Sequence, residues 1–508
     1  MQKLLACLAI LTYLGVPVQA QNSTPAEPHR PRFHFSPKTH WMNDPNGMVY
    51  HKGVYHLFFQ YYPDGTTWGP MHWGHATSAD MLHWREEAIA LYPDSLGYIF
   101  SGSAVVDVNN TSGFGRNGQV PLVAIFTHHN PKLEKAKSET FQYQSLAYSL
   151  DDGKTWTKYA GNPVLPNPGI VDFRDPKVRW YEPAKQWIMT LATKDRVTFY
   201  TSPNLKNWTK ASEFGRDLGA HGGVWECPDL FPLQHKGKTV WVLLVSINPG
   251  GPNGGSATQY FLGDFDGKTF KPYNNATKWM DFGPDNYAGV TFANTGNRTI
   301  LMGWMSNWQY AQQVPTDPWR SATTVPRELS IQEVGNELYL ASKPVAELNT
   351  LAAKPTTLQT VSVNGQYDLT PTVGKLTGPL RLTFTALATE DVSVVLTNDA
   401  GNELVLGYDK TANAYFIDRS RSGKTNFEKG FGKRNTAPRL ATDKTLTMTL
   451  LVDVASVELF ADNGLSVLTS NFFPEADMNR ILLRSASGVT VKRLTYAKLA
   501  STLPDKGK

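Results

Sequence analysis

The sequence predicts an all-β protein, a five-bladed β-propeller followed by a C-terminal β-sandwich. Three observations carry this reading. Short apolar or alternating runs dominate, and helix-period segments are scarce. A serine–acid–tryptophan turn recurs through the first two thirds of the chain. Beyond residue 355 the texture changes to a strict period-two alternation.

The runs include Val54-Tyr55-His56-Leu57-Phe58-Phe59, Leu122-Val123-Ala124-Ile125-Phe126, Trp187-Ile188-Met189-Thr190-Leu191, Val240-Trp241-Val242-Leu243-Leu244-Val245 and Ile300-Leu301-Met302-Gly303-Trp304. Gly, Pro, Asn and Asp clusters separate them, as turns separate strands. The repeated turn reads Ser78-Ala79-Asp80…Trp84, Ser149-Leu150-Asp151…Trp156 and Ser202-Pro203-Asn204…Trp208, with Gly263-Asp264…Phe270 as a degraded copy. Starts at 78, 149, 202 and 263 lie 71, 53 and 61 residues apart. A four-stranded unit with variable loops fits that period, and radial stacking of such units is a propeller. Five blades fit between residues 30 and 340.

Residues 341–354 read as a linker with a short helical turn near residues 344–349. After it, Leu382/Phe384/Ala386 and Leu446/Met448/Leu450 alternate with Arg and Thr, which predicts a β-sandwich over residues 355–500. A chain of 508 residues exceeds what one core usually serves, in keeping with two domains.

Residues 1–20 read as a cleaved signal peptide: Lys3, an apolar stretch over residues 4–16, then Val18-Gln19-Ala20. Leu4-Leu5-Ala6-Cys7 imitates a lipoprotein box, but cutting there would leave almost no apolar segment before it. The expected location is therefore secreted or periplasmic. No later apolar run is long enough to span a bilayer, so no membrane span is expected. Once Cys7 leaves with the leader, Cys227 stands alone and no internal disulfide can form. It reads as a buried, inert thiol. A net charge of +5 with no Lys/Arg run or stripe argues against nucleic acid. Aromatics at 12% suit the C–H faces of sugars, and equally a β-rich core. The number of subunits is open.

Three acids sit in similar surroundings: Asn43-Asp44-Pro45, Arg174-Asp175-Pro176 and Glu226-Cys227-Pro228. Proline biases the residue before it away from helix, which suits a strand start lining a channel. Each acid falls on a different blade. Inner strands of all blades meet at the propeller axis, so acids distant in sequence can converge there.

At these residues the chain resembles glycoside hydrolase family 32, its bacterial levanases and exo-inulinases above all. The motifs are His34-Phe35-Ser36-Pro37, Trp41-Met42-Asn43-Asp44-Pro45-Asn46-Gly47, Phe58-Phe59-Gln60-Tyr61, the run from Trp68 to His75, Phe100-Ser101-Gly102-Ser103, Phe173-Arg174-Asp175-Pro176 and Trp225-Glu226-Cys227-Pro228-Asp229. The likeness continues through Trp304-Met305-Ser306-Asn307-Trp308 and Pro326-Arg327-Glu328-Leu329 into Val457-Glu458-Leu459-Phe460. It implies a five-bladed propeller joined to a β-sandwich. It implies Asp44 as nucleophile, Glu226 as acid/base and Asp175 as the stabiliser that holds sugar hydroxyls. It also implies hydroxyl contacts from Asn43, Gln60, Ser101 and Arg174, and apolar walls from Trp41, Trp68, Phe100 and Trp308. Asp285-Asn286-Tyr287, in a Gly/Pro-flanked loop, is placed at the same pocket.

The activity implied is a retaining, exo-acting β-fructosidase that hydrolyses terminal fructosyl residues of levan or inulin, with sucrose as a further substrate. The alternatives are fructosyl transfer and non-catalytic fructan binding. Two acids at one site need different proton affinities. Hydrogen bonds from nearby donors are expected to hold Asp44 ionised, and Arg174 to hold Asp175 ionised if both reach the pocket. Adjacent strand residues face opposite sides, so that requires a bend at Pro176. No metal and no cofactor is expected: His128-His129 and His72-Trp73-Gly74-His75 lack ligand spacing, and Gly250-Gly251 with Gly254-Gly255 reads as a flexible turn.

Overall fold

The computed structural model describes residues 27–503, and the expected leader at residues 1–20 lies outside them. Five antiparallel sheets follow one another along the chain from His40 to Pro344. Their first strands are His40–His51, Tyr98–Val106, Phe173–Tyr181, Val224–His235 and Tyr287–Thr291. Each of these packs against the first strand of the sheet before and after it, and the fifth returns to the first. That closed ring is the axis of a five-bladed propeller.

The recurring turn has a structural job. In the first three blades it caps the end of the third strand, at Ser78, Ser149 and Ser202. The Ser78 hydroxyl donates to Asp80 (3.0 Å), and the Asp80 carboxylate then accepts from the Leu82 and His83 amides at 2.9 Å. Trp84 and its equivalents follow just before the outer strand. In blade four the copy starts one residue later than the sequence suggests. Asp266, rather than Asp264, accepts the amides of Lys268 (2.9 Å) and Thr269 (2.7 Å). Gly263 lies inside the strand, paired with Pro272.

Blade five lacks the repeat because its second and third strands, Ile300–Trp304 and Arg327–Val334, are separated by a long excursion. Part of that excursion, Trp319–Arg320, pairs in parallel with His40 and Trp41 and covers the open edge of blade one. The outer strand of blade five runs to Pro344, and the expected helical turn is a 3-10 helix, Ala346–Leu351.

The C-terminal unit is a ten-stranded sheet folded over one core. The long strand Arg480–Lys498 joins its halves, pairing with Val392–Thr397 near one end and Leu380–Leu387 near the other. The alternating stripes read from sequence face each other: Leu382 pairs with Leu450, Phe384 with Met448 and Ala386 with Leu446, all buried. The two free edges, Arg434–Pro438 and Ser466–Asn471, approach one another and nearly close the sheet.

Buried charge fastens the two units. Arg327, fully enclosed, donates to Asp281 of the propeller (2.9 Å) and to Glu458 (3.0 Å) and Thr469 (2.6 Å) of the second unit. His34 bridges Asp453 (2.8 Å) and Glu458 (2.9 Å). Burial alone would lower the His34 pKa, but these two carboxylates outweigh it and push the ring up to about 9.

Candidate active site

All five inner strands carry the same irregularity. Two residues stand opposite one, at Asn43-Asp44 across from Gln60, Phe100-Ser101 from Thr127, Asp175-Pro176 from Leu191, Cys227-Pro228 from Val245, and Ala288-Gly289 from Gly303. A β-bulge bends its strand and re-aims side chains that the alternating pleat would send elsewhere. Here five bulges lie near the starts of five strands that ring one axis. Asp175 (φ 64°), Cys227 (φ 45°) and Ala288 (φ 52°) occupy the left-handed region that β-carbon-bearing residues seldom adopt. Pro176 and Pro228 fit because each is the second residue of its bulge, where the backbone amide is left unpaired and a missing N–H costs nothing.

The bulges open into a cavity of about 380 Å³ lined by Asp44, Asp175 and Glu226. Asn43, Gln60, Trp68, Phe100, Ser101, Arg174 and Trp308 line it as well. Arg174 and Asp175 are adjacent, yet both reach the cavity because Asp175 is the first residue of the bulge.

Two residues placed at the pocket from sequence are elsewhere. Trp41 is fully buried behind the wall: its indole N–H donates to Asn43 (2.8 Å), and its ring stacks 5.9 Å from Trp308. It therefore orients Asn43 and backs Trp308 without facing the cavity. Asp285 is also fully buried, tied to the Tyr310 hydroxyl (2.6 Å), Arg419 (2.6 Å) and the Asn471 amide (2.9 Å). A carboxylate so enclosed is held by its cation, and Asp285 serves the contact between the two units.

Asp44 accepts from Asn43 (2.9 Å) and Ser101 (2.7 Å), and the Cys227 thiol lies 3.4 Å away. These donors favour the ionised form, as expected. They do not win: burial first, then the like charge of Glu226, holds Asp44 above its ordinary value. Asp175 accepts from the Cys227 amide (2.9 Å), while its own amide donates to Thr127 (3.0 Å). Burial lifts Asp175 to about 7; Arg174 opposes this, and Glu226 and Asp44 reinforce it. The expectation for Arg174 fails for a geometric reason. Its guanidinium pairs with Glu226 (2.9 and 3.2 Å) and with Asp172, not with Asp175.

Glu226 also accepts a short hydrogen bond from the Tyr287 hydroxyl. Burial, with the charge of Glu226 beside it, pushes the phenol well above its usual range, so Tyr287 remains a donor. Cys227 is likewise held well above the usual thiol range, by burial first and then by its three acidic neighbours. It is a protonated thiol placed between two aspartates rather than a nucleophile.

Several lining residues carried no separate signal in the sequence: His129, Glu134, Phe141, Gln142, Asp172, Asn248 and Gln312. The His129 ring stacks on Phe100 at 4.3 Å, and Glu134 of the short helix Pro131–Lys135 holds it at 3.0 Å. Asp172 stands two residues before Arg174, next to a motif already noted, and that adjacency was the available clue.

Residues 34–344 match the model for the glycosyl hydrolases family 32 N-terminal domain, and residues 347–498 the model for the family's C-terminal domain. The chain belongs to glycosyl hydrolases family 32. Its family 32 relatives include the levanase of Bacillus subtilis (strain 168), 46% identical over 94% of this chain and 72% of that protein. The extracellular exo-inulinase of Aspergillus awamori is 41% identical over 94% of this chain and 95% of its own. A crystal structure of exo-inulinase from Aspergillus awamori superposes with a TM-score of 0.87, covering 94% of this chain and 99% of that one at 38% identity. The family 32 assignment makes the enzyme a glycoside hydrolase. No helix among its described residues is long and apolar enough to cross a membrane.

Proposed function

We propose that the enzyme is a retaining, exo-acting β-fructosidase that removes terminal fructosyl residues from levan or inulin and accepts sucrose. One observation carries this reading: Asp44 and Glu226, from the first and fourth blades, open into the same small cavity. At about 380 Å³ the cavity lies near the lower end of ligand-pocket volumes, which suits a chain end better than the middle of a polymer. The relatives named levanase and exo-inulinase support the substrate class.

In this mechanism Asp44 attacks the anomeric carbon while Glu226 gives its proton to the departing glycosidic oxygen. The C–O bond breaks, and a fructosyl ester forms on Asp44. Water then enters and gives its proton to Glu226; the hydroxide adds to the anomeric carbon as that carbon's bond to Asp44 breaks, which frees fructose and the Asp44 carboxylate with overall retention. The first step needs Glu226 protonated and Asp44 ionised, the two roles a general acid and a nucleophile require. Asn43, Ser101 and Cys227 direct the charge to Asp44. Asp175 holds sugar hydroxyls and offsets positive charge as the oxocarbenium-like transition state develops. Arg174, spanning Asp172 and Glu226, keeps the acid/base aimed, and Tyr287 does so from the other side.

The chain is proposed to act outside the cytoplasm, on the strength of the leader pattern and the extracellular relatives. Incubation with levan, inulin and sucrose, followed by product analysis, tests the activity. Free fructose released from chain ends is the expected result. Oligosaccharides longer than the substrate would mean transfer instead, and binding without turnover would mean a fructan-binding protein.

A further inference from the structure

Trp308 and Gln312 reach the pocket from the excursion between the second and third strands of blade five. Nothing in their own stretch is regular secondary structure, so their position depends on what the turn is tied to. Part of that tying comes from the C-terminal unit. Asn471 donates to the Met305 carbonyl at 2.9 Å. Gln309 donates to Glu428 at 3.2 Å, and the Gly430 amide fixes the same Glu428 oxygen at 2.6 Å. The fully buried Tyr310 packs edge-on to Phe431, with centroids 5.1 Å apart. Its hydroxyl donates to Asp285 at 2.6 Å and accepts from Arg419 at 2.9 Å.

Arg419 is itself fixed from several directions. It reaches the Phe431 carbonyl (2.6 Å), Asp285 (2.6 Å) and the Asn471 carbonyl (3.0 Å), and its guanidinium lies 3.7 Å from the centre of the Phe431 ring. Residues that flank Trp308 and Gln312 are therefore gripped by a preorganised surface of the other unit. The propeller holds the same turn as well: Asn307 donates to the Pro284 carbonyl at 2.8 Å, the Trp308 amide to the Ser256 hydroxyl at 3.1 Å and Arg320 to the Gln312 carbonyl, while Trp41 backs the Trp308 ring at 5.9 Å.

We propose that the C-terminal unit shapes the substrate pocket through this turn, with Arg419, Tyr310 and Glu428 as positioning residues for Trp308 and Gln312. None of the three lines the cavity, so each acts on substrate only through the wall it holds. The proposal rests on the pocket being the fructosyl site. It assigns the second unit a part in substrate affinity in addition to fold stability. Chemistry at Asp44 and Glu226, on blades one and four, lies outside its reach.

The test uses the full-length enzyme with levan and sucrose. Tyr310→Phe removes the hydroxyl that ties the turn to Asp285 and Arg419, and keeps the ring on Phe431. Glu428→Ala releases Gln309 at a more exposed position, which keeps the test available if Tyr310→Phe does not fold. KM is expected to rise roughly tenfold in Tyr310→Phe and roughly threefold in Glu428→Ala, with kcat within about twofold and the pH profile unchanged. Unchanged KM in the variants, with or without a lower Tm, overturns the proposal, because a merely structural contact would give that result. Failure of the underlying reading is distinguishable, since it shows as absence of fructose release by the wild-type enzyme. Calorimetric titration with fructose then reads the same wall without turnover: weaker binding by the variants than by wild type supports the proposal, and equal binding overturns it.

Discussion

Asp44→Asn is expected to reduce kcat on levan and sucrose by about ten-thousandfold or more, while the folded protein becomes more stable at neutral pH. The two effects share one cause. Asp44 is open to the pocket but ringed by protein, and burial together with Glu226 raises its pKa in the fold. An acid whose folded pKa is raised weakens the fold once it ionises. In the wild type that cost is absent at pH below the unfolded value of about 4, and it grows as pH rises through the folded value. Asparagine carries no such cost and keeps the shape. Thermal unfolding at several pH values should therefore show a Tm advantage for Asp44→Asn at pH 7 that vanishes below about pH 4. Near-normal turnover in the variant would remove Asp44 from the chemistry. A lower Tm at neutral pH would show that its three donors, not burial, dominate its energetics.

Ending the chain after Leu351 is expected to yield insoluble protein rather than a free propeller. The cut removes Asp453, Glu458 and Arg419, and leaves His34, Arg327 and Asp285 as charges without partners in the second unit. It also uncovers Phe33, Leu82, Val325 and Leu348, which pack on Leu451, Phe460 and Val467. Breaking one buried pair by removing a partner costs about 3–5 kcal/mol, a large share of the stability of a typical domain. Glu458→Gln in the full-length chain should therefore lower stability by a few kcal/mol. The pH response has a defined sign. His34 has its pKa raised to about 9, so its contribution is complete below its unperturbed 6.5 and is lost as pH rises through 9. Unfolding of the wild type should become easier across that window, whereas Glu458→Gln should show a weaker dependence. A soluble, active enzyme ending at Leu351 would contradict the buried ion pairs as the fastening between the units.

The fold was largely written in local pattern. The S-x-D…W turns could be read because a hydroxyl and a carboxylate two residues apart close a turn wherever they occur. The fourth copy slipped by one residue because Asp264 imitates the capping acid that Asp266 actually is. The period-two stripes at Leu382 and Leu450 named the core of the second unit because alternation is itself the geometry of a strand.

The pocket was less legible wherever its meaning depends on a partner in another blade. Asp44, Asp175 and Glu226 stood out through their motifs. That all three sit beside β-bulges is a statement about pairing registers, which a single strand does not display. Asp285 was conspicuous as an acid in a Gly/Pro-flanked loop, but Arg419, 134 residues away, turns it from the pocket to the contact between units. Trp41 was expected as a wall because the family resemblance implies it. Its full burial places it a layer behind, and Trp308 lines the cavity in front of it. Gly250-Gly251 and Gly254-Gly255 read as a loose turn, yet Asn253 between them donates to Phe282 (2.7 Å) and Thr436 (2.9 Å) and ties it to the second unit.

Everything above depends on one sugar carbon passing onto the carboxylate of Asp44 while Glu226 faces the oxygen it leaves. The most direct measurement uses Glu226→Gln, exposed briefly to a fructoside with an activated leaving group, then quenched, digested and mapped by mass spectrometry. Such a leaving group departs without proton help, but the missing base slows release of the ester. The expected result is a fructosyl adduct on the peptide that contains Asp44. An adduct on a different carboxylate, or turnover with no covalent species at any time, would contradict it.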